Sequence, residues 1–192
     1  MTGKEWLKWR NEGIGASDAA SIMGVSPWKT YDQLLMEKVN RIDLIPENDN
    51  MRFGKEKEEE ARLLFESMTG HIVFGDKKIV HPEFSWIRAT LDGLSDDGKI
   101  MVEIKTANKA DHFFAFNKMV PEKYYPQCQH QMLVTGLEKM YYFSYRKKLA
   151  KKGTGIIVEV FRDQLYIDSM FEKHRIFWDQ VLELRQKLKA AI

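Results

Sequence analysis

Apolar and polar positions alternate with changing period along the 192-residue chain, and the changes mark its elements. The first fifty residues read as short helices. Ser17 is placed to cap a helix over 18–23, its hydroxyl accepting from a first-turn amide. Thr30-Tyr31-Asp32-Gln33 is a capping-box pattern leading into 34–39, and Gly24-Val25-Ser26-Pro27-Trp28 reads as the turn before it. Pro46-Glu47-Asn48-Asp49-Asn50 is polar and turn-rich and reads as a loop inside one domain. Residues 51–69 then carry a helical stripe of Phe53, Ala61, Leu64, Phe65 and Met68, dense charge from Lys55 to Glu60, and Gly70 as a stop.

Period-two patterns at 72–80, 85–91 and 99–105 predict three strands, the last two joined by the hairpin-type turn Asp96-Asp97-Gly98. Helices follow near 109–118 and 126–135, with a break at Pro121 and Pro126 suited to a first turn. Strands at 140–146 and 155–161 flank a basic loop. A long helix closes the chain, with Ile167, Met170, Phe171, His174, Phe177, Trp178, Val181, Leu184 and Leu188 at helical spacing. Grouped strands with helices around them predict an α/β (mixed α+β) layered domain. It spans 1–192, with a helical part at 1–45 and the core and final helix at 51–192.

Composition narrows the function classes. Hydrophobic residues make up 44% and charged residues 30%, which is globular and excludes disorder and collagen. No purely apolar run exceeds four residues, so no membrane span is expected. The first residues lack an apolar signal region, which predicts a cytoplasmic protein. The lone Cys128 excludes disulfide frameworks and cysteine-rich zinc or iron–sulfur sites. His112 and His130 lack the partners a metal site needs. Net charge is only +2, from 30 basic and 28 acidic residues. An enzyme that holds divalent metals with carboxylates beside phosphates would cancel its own basic groups in this total, so local placement matters more.

The chemistry concentrates at Leu91-Asp92-Gly93 and Met101-Val102-Glu103-Ile104-Lys105. Alternation in a strand puts Ile100, Val102 and Ile104 on one face and Met101, Glu103 and Lys105 on the other. A hairpin would bring Asp92 alongside Glu103. Two carboxylates, with the Ile104 carbonyl, suit Mg²⁺, and a neighbouring lysine can orient water or steady a charged transition state. A surface ion pair on a half-exposed strand is the other reading of Glu103 and Lys105.

Four segments together resemble the lambda-exonuclease or YqaJ-type viral recombinase family of PD-(D/E)XK nucleases. They are Gly13-Ile14-Gly15-Ala16-Ser17-Asp18-Ala19-Ala20 with Ser26-Pro27-Trp28; Phe53-Gly54-Lys55 through Glu58 to Ala61-Arg62; Asp92 to Lys105; and Tyr124-Tyr125-Pro126-Gln127-Cys128-Gln129 with Met132. Leu91 stands where the signature often has proline. The resemblance implies a restriction-endonuclease-like core, a central mixed β-sheet flanked by helices, with a helical N-terminal segment. It implies Asp92, Glu103, the Ile104 carbonyl and Glu58 as metal ligands, Lys105 as the residue that positions the attacking water, and Gln127 as an active-site glutamine. Arg10 and Ser17 match a pair that binds a 5′-terminal phosphate. Trp28, Tyr124 and Tyr125 contact bases at a frayed end or pack in the core. Glu58 and Gln127 are, without the family, polar positions on helix faces, and Arg10 and Ser17 a plain capped helix start. The loop from Arg146 to Lys152 holds five basic residues, for a DNA backbone or for a solvated hairpin tip.

The family further implies a Mg²⁺-dependent 5′-to-3′ exodeoxyribonuclease (Mn²⁺ a substitute), with two ions per site, leaving 3′ single strands for recombination. Double-stranded DNA ends, a trimeric ring and a single-strand annealing protein are its expected partners, in a bacterial host carrying phage or prophage. An endonuclease or resolvase on the same core, or a catalytically silent DNA-binding module, are the rival readings.

Overall fold

A computed structural model describes residues 3–42, 49–146 and 154–191, with side chains described from residue 5 and, in the fourth helix, from residue 56. Residues 46–48 of the polar break, the helix-motif side chains of Phe53, Gly54 and Lys55, and all of the basic loop after Arg146 lie outside the described residues, while Asp49 and Asn50, read as part of that loop, begin the fourth helix.

The order is α1 (Gly3–Asn11), a 3-10 turn (Ala16–Asp18), α2 (Ala19–Ile22), α3 (Tyr31–Asn40), α4 (Asp49–Thr69), β1 (Lys77–Val80), β2 (Arg88–Leu91), β3 (Gly93–Leu94), β4 (Met101–Thr106), α5 (Lys109–Phe116), α6 (Tyr125–Thr135), β5 (Lys139–Arg146), β6 (Thr154–Phe161) and α7 (Gln164–Ala190). Punctuation residues act as the sequence predicts. Thr30 Oγ1 accepts from the Gln33 amide at 3.2 Å and Gln33 Oε1 from the Thr30 amide at 2.9 Å, a reciprocal capping box. Gly70 takes φ +74° and ends α4, and Gly98 takes φ +71° in the hairpin turn.

The main sheet has the order β3-β4-β5-β6, antiparallel, parallel, antiparallel. Parallel pairing of β4 with β5 needs a crossover, which α5 and α6 supply. One face packs Val102, Ile104, Phe143 and Tyr145 on Ala61 and Phe65 of α4. The other packs Met101, Tyr142 and Val158 on Cys128 and Met132 of α6. A third cluster joins Leu34 and Val39 to Phe177, Trp178 and Val181. This is the mixed α+β layering that the element order predicts, and β4 is covered on both faces rather than one.

Two strands are shorter than their patterns. The 72–80 pattern breaks at Gly75-Asp76: Phe74 bridges Leu94, Asp76 turns left-handed at φ +54°, and only Lys77–Val80 pairs with β2. The 85–91 pattern yields Arg88–Leu91, and the hairpin onto β4 is made instead by β3. The chain therefore leaves one sheet and enters the other at Asp92. Gly93 makes this possible, because a Cβ there would meet Val102 Cγ1 at 2.6 Å and Val73 Cγ2 at 2.8 Å.

Met68 and Leu188, assigned to apolar stripes from spacing, are 49% and 48% exposed. Each lies in the last two turns of its helix, where the opposing layer no longer covers it.

Ser17 is not a helix cap. Gly15 precedes the 3-10 turn, the Asp18 carboxylate accepts from the Gly15 amide at 2.9 Å, and Ser17 is exposed. Asp18 itself is buried with Lys38, Nζ to Oδ2 2.7 Å, and Lys38 also donates to the carbonyls of Arg10 and Gly13 at 2.8 Å. Burial alone would raise the Asp18 carboxyl, but Lys38 and Arg10 hold it well below the usual carboxylate range.

His130 and His174 are fully buried with ring centroids 5.1 Å apart. His130 Nε2 meets the Arg88 carbonyl at 3.0 Å, and its Nδ1 and both His174 nitrogens have no partner among the described residues. Burial pushes His130 down to about 4 and His174 well below its ordinary value. The unfolded chain, with ordinary histidines near 6.5, then binds more protons than the folded one. Stability should be full above pH ~6.5 and fall as pH drops toward ~4, by about 3 kcal/mol for His130 alone. Thermal unfolding from pH 7.5 to 4.5 checks this: His174→Leu should flatten the acid decline, and an equal decline in both proteins contradicts it.

Candidate active site

Glu103 sits at the middle of β4 and is 0% exposed. It shares the α6-facing side of the strand with Met101 and Lys105, and its register partner on β5 is Tyr142. A carboxylate so placed must be paired. Lys105 Nζ ion-pairs with its Oε1, and Gln127 Nε2 donates to the same oxygen at 2.7 Å. Gln131 Nε2 donates to Oε2. Gln127 and Gln131 stand one turn apart on one face of α6, which Pro126 starts and Gly136, at φ +72°, ends. The surface ion-pair reading of Glu103 and Lys105 is overturned by this burial.

Asp92 joins them from the switch between sheets. Its Oδ2 accepts from the Ile104 amide at 2.8 Å. β3 pairs only with Met101 and Val102, so beyond Val102 this edge of β4 is taken by Asp92 instead of a strand. An extended residue directs its amide and carbonyl to the same edge, so the Ile104 carbonyl also faces the Asp92 side.

The electrostatics are those of acids buried close to one another. Burial and then the Glu103 charge push the Asp92 carboxyl well above its ordinary value. Burial opposes charge on Lys105, but Glu103 and Asp92 outweigh it and hold the ammonium above its usual range. Glu58 on α4 is pushed up by burial, then by Asp76 and Glu103. Glu58 therefore shares this acidic field, as does Asp76. Asp76 had no signal in the sequence beyond a Gly-Asp turn dipeptide inside an apparent strand.

Among the described residues no three His, Cys, Asp or Glu side chains are grouped to hold a metal ion. Mg²⁺ asks for less, usually one or two carboxylates, with water and substrate phosphate completing its shell. Two mutually repelling carboxyls with an adjacent backbone carbonyl are a donor set of that kind, all oxygen and short of positive charge.

Beside this centre lies an aromatic surface. Lys105 Nζ stands 5.1 Å from the Tyr124 ring, and Trp28 packs 5.6 Å from Tyr124. Lys123 lies 5.3 Å from Trp28 and 5.1 Å from Tyr124, tied to Asp111 at 2.8 Å. Burial pushes the Tyr124 hydroxyl up to about 12. Trp28 is 55% exposed, so core packing does not describe it. Tyr125 turns away, its hydroxyl on Asp163 at 3.2 Å. Gln129 also points elsewhere, bonding the Phe161 carbonyl and the Asp163 amide.

Arg10 contacts Asp18 at 3.4 Å and lies over Trp6 at 5.2 Å. Ser17 lies next to that cluster, on a turn whose Ala16 and Ala19 pack with Cys128 and Met132 of α6. The two residues of the expected phosphate pair thus share one short segment, but no long helix points its amides there. A helix N-terminus therefore does not supply an anion site for that pair, because only a 3-10 turn and a four-residue helix follow Gly15.

The same residues carry a family likeness. The YqaJ-like viral recombinase domain matches residues 5–138. The uncharacterized protein YqaJ of Bacillus subtilis (strain 168) is 32% identical over 185 residues, covering 95% of this chain; the chain spans 57% of that relative's length. Among solved structures, an alkaline exonuclease of Laribacter hongkongensis aligns at TM-score 0.80, and its complex with dAMP at 0.84. Both are 26% identical and cover 98% of this chain and 97% of theirs. A phage-related exonuclease of Haemophilus somnus 129PT aligns at TM-score 0.70 with 17% identity, over 92% of this chain and 96% of its own, and shows the shared fold. Among the described residues no helix is long and apolar enough to cross a membrane. With the domain match running through every segment that builds the acidic centre, the chain belongs to the YqaJ-like viral recombinase domain family.

Proposed function

We propose that this chain is one nuclease domain, over 1–192, that hydrolyses one strand of linear duplex DNA from a 5′ end with Mg²⁺, releasing mononucleotides and leaving a 3′ single strand for recombination. The observation that carries the reading is the buried Glu103 carboxylate, bonded to Lys105, Gln127 and Gln131, on the strand whose edge beyond β3 is taken by Asp92. Nuclease activity is the function named for the Laribacter hongkongensis structures, one of which holds dAMP, itself a deoxymononucleotide.

Asp92, Glu103 and the Ile104 carbonyl would hold the cation, with Glu58 supporting a second. Mn²⁺ offers the same preference for oxygen ligands. When bound, Mg²⁺ supplies a water of lowered pKa and neutralises charge on the phosphate. Lys105 steadies the negative charge that develops on the phosphate and orients the attacking water. Gln127, half-buried and bonded to Glu103, aims that carboxylate. Trp28 and Tyr124 offer ring faces on which unpaired bases stack. Arg10 and Ser17 receive the terminal phosphate, Arg10 by a charge-assisted contact. The small domain works as a trimeric ring beside an annealing protein, in the bacterial cytoplasm.

End-labelled linear duplex should be degraded progressively while closed circles survive, and nicking of circles would contradict the reading. Ser17→Ala should lower the preference for phosphorylated over hydroxyl 5′ ends about tenfold, the scale of one lost charged hydrogen bond. Equal loss on both ends would contradict the pocket.

A further inference from the structure

Glu103 is held from one helix by two glutamines that are not equivalent. Gln127 is half-buried. Gln131 is 0% exposed, its Nε2 donates to Glu103 Oε2, and its Oε1 has no partner among the described residues. A buried carboxamide with an unmade hydrogen bond is costly, where a methionine of similar length would pack at no such cost. The neighbours on α6, Cys128 and Met132, are of that apolar kind. What the amide at 131 supplies is the bond to the second oxygen of Glu103.

We infer that Gln131 is a positioning residue for this site: with Gln127 it fixes the plane of the Glu103 carboxylate, so the acid meets the cation in one orientation. The inference rests on the reading of Glu103 as a metal ligand. A carboxylate has two oxygens and a soft terminal torsion. Lys105 and Gln127 both engage Oε1, leaving rotation about that oxygen open. Gln131 closes it by holding Oε2 from one turn further along the same helix. Partners that hold a ligand's second atom typically alter metal affinity or rate by about 10–100-fold.

Gln131→Met keeps the volume and removes the donor. Two readouts are taken on the full chain: Mn²⁺ binding without DNA, by electron paramagnetic resonance, and kcat and KM on linear duplex at saturating Mg²⁺. The expected result is Mn²⁺ affinity about tenfold weaker, kcat down about tenfold or more, and KM for DNA within about threefold. Should the Met variant fail to fold, Gln131→Asn, which keeps an amide one carbon short of Glu103, is measured in its place with the same expectation. Wild-type Mn²⁺ affinity and kcat in a folded variant would overturn the inference. Glu103→Gln is run in parallel. If it cleaves DNA normally, the reading of the site has failed. If it is inactive while the Gln131 variant behaves as wild type, only the positioning role has failed.

Discussion

Glu103→Gln should lower DNA cleavage by about 10³-fold or more while leaving the fold and DNA affinity nearly unchanged. The side chain is 0% exposed, so the isosteric amide fills the same space. The carboxamides of Gln127 and Gln131 each offer an oxygen on a half-turn of the group, so the new amide nitrogen finds an acceptor. What disappears is the negative charge. Lys105→Ala should be equally inactive for a different reason, because the amine is lost and both acids remain. The two variants separate by cation binding: the alanine variant should still bind Mn²⁺, and the glutamine variant should bind it weakly. Single-turnover cleavage of linear duplex checks the rates. Turnover at the wild-type rate in either variant would remove the catalytic assignment.

Lys38→Met should cost about 3–5 kcal/mol of folding stability. Lys38 is 1% exposed and Asp18 2%, and their ion pair is extended by the bonds from Lys38 to the Arg10 and Gly13 carbonyls and from the Gly15 amide to Asp18. Removing the ammonium leaves a buried carboxylate whose remaining charged partner is Arg10 at 3.4 Å, with the Gly15 amide its other contact. Asp18→Leu combined with Lys38→Met should recover part of the loss, since no charge is then left unpaired. The same network shapes the turn that carries Ser17, so the single variant should also lose discrimination between phosphorylated and hydroxyl ends. Urea unfolding measures the stability, and a loss below about 1 kcal/mol would show that the pair is dispensable.

Elements with a local cause were readable in the chain. The Thr30 capping box, the Pro126 helix start and the Gly98 turn need only neighbouring residues, and each stands where its pattern predicts. Alternation along β4 placed Glu103 and Lys105 on one face. It did not show that α6 covers that face, because α6 returns over the sheet by a long crossover and the polar residues of α6 look like a solvated side. That is why Gln131 carries no sequence signal: its spacing from Gln127 is helical, but its partner is 28 residues away. The exchange of sheets at Asp92 was hidden for a similar reason. The 85–91 pattern reads as a strand that hairpins directly onto 99–105, and only the pairing of Gly93 and Leu94 with β4, with Gly93 packed on Val102, shows where the chain crosses. Ser17 misled through a sound rule, since serine before a helix is a good cap. Here Asp18 takes the Gly15 amide and the first turn tightens to three residues.

The decisive measurement is the manganese anomalous signal from crystals of the protein soaked in Mn²⁺. An anomalous peak is expected within ligand distance of the Asp92 and Glu103 carboxylates and the Ile104 carbonyl, with Lys105 beside it. A fully occupied peak elsewhere, or none between these acids, would contradict that expectation.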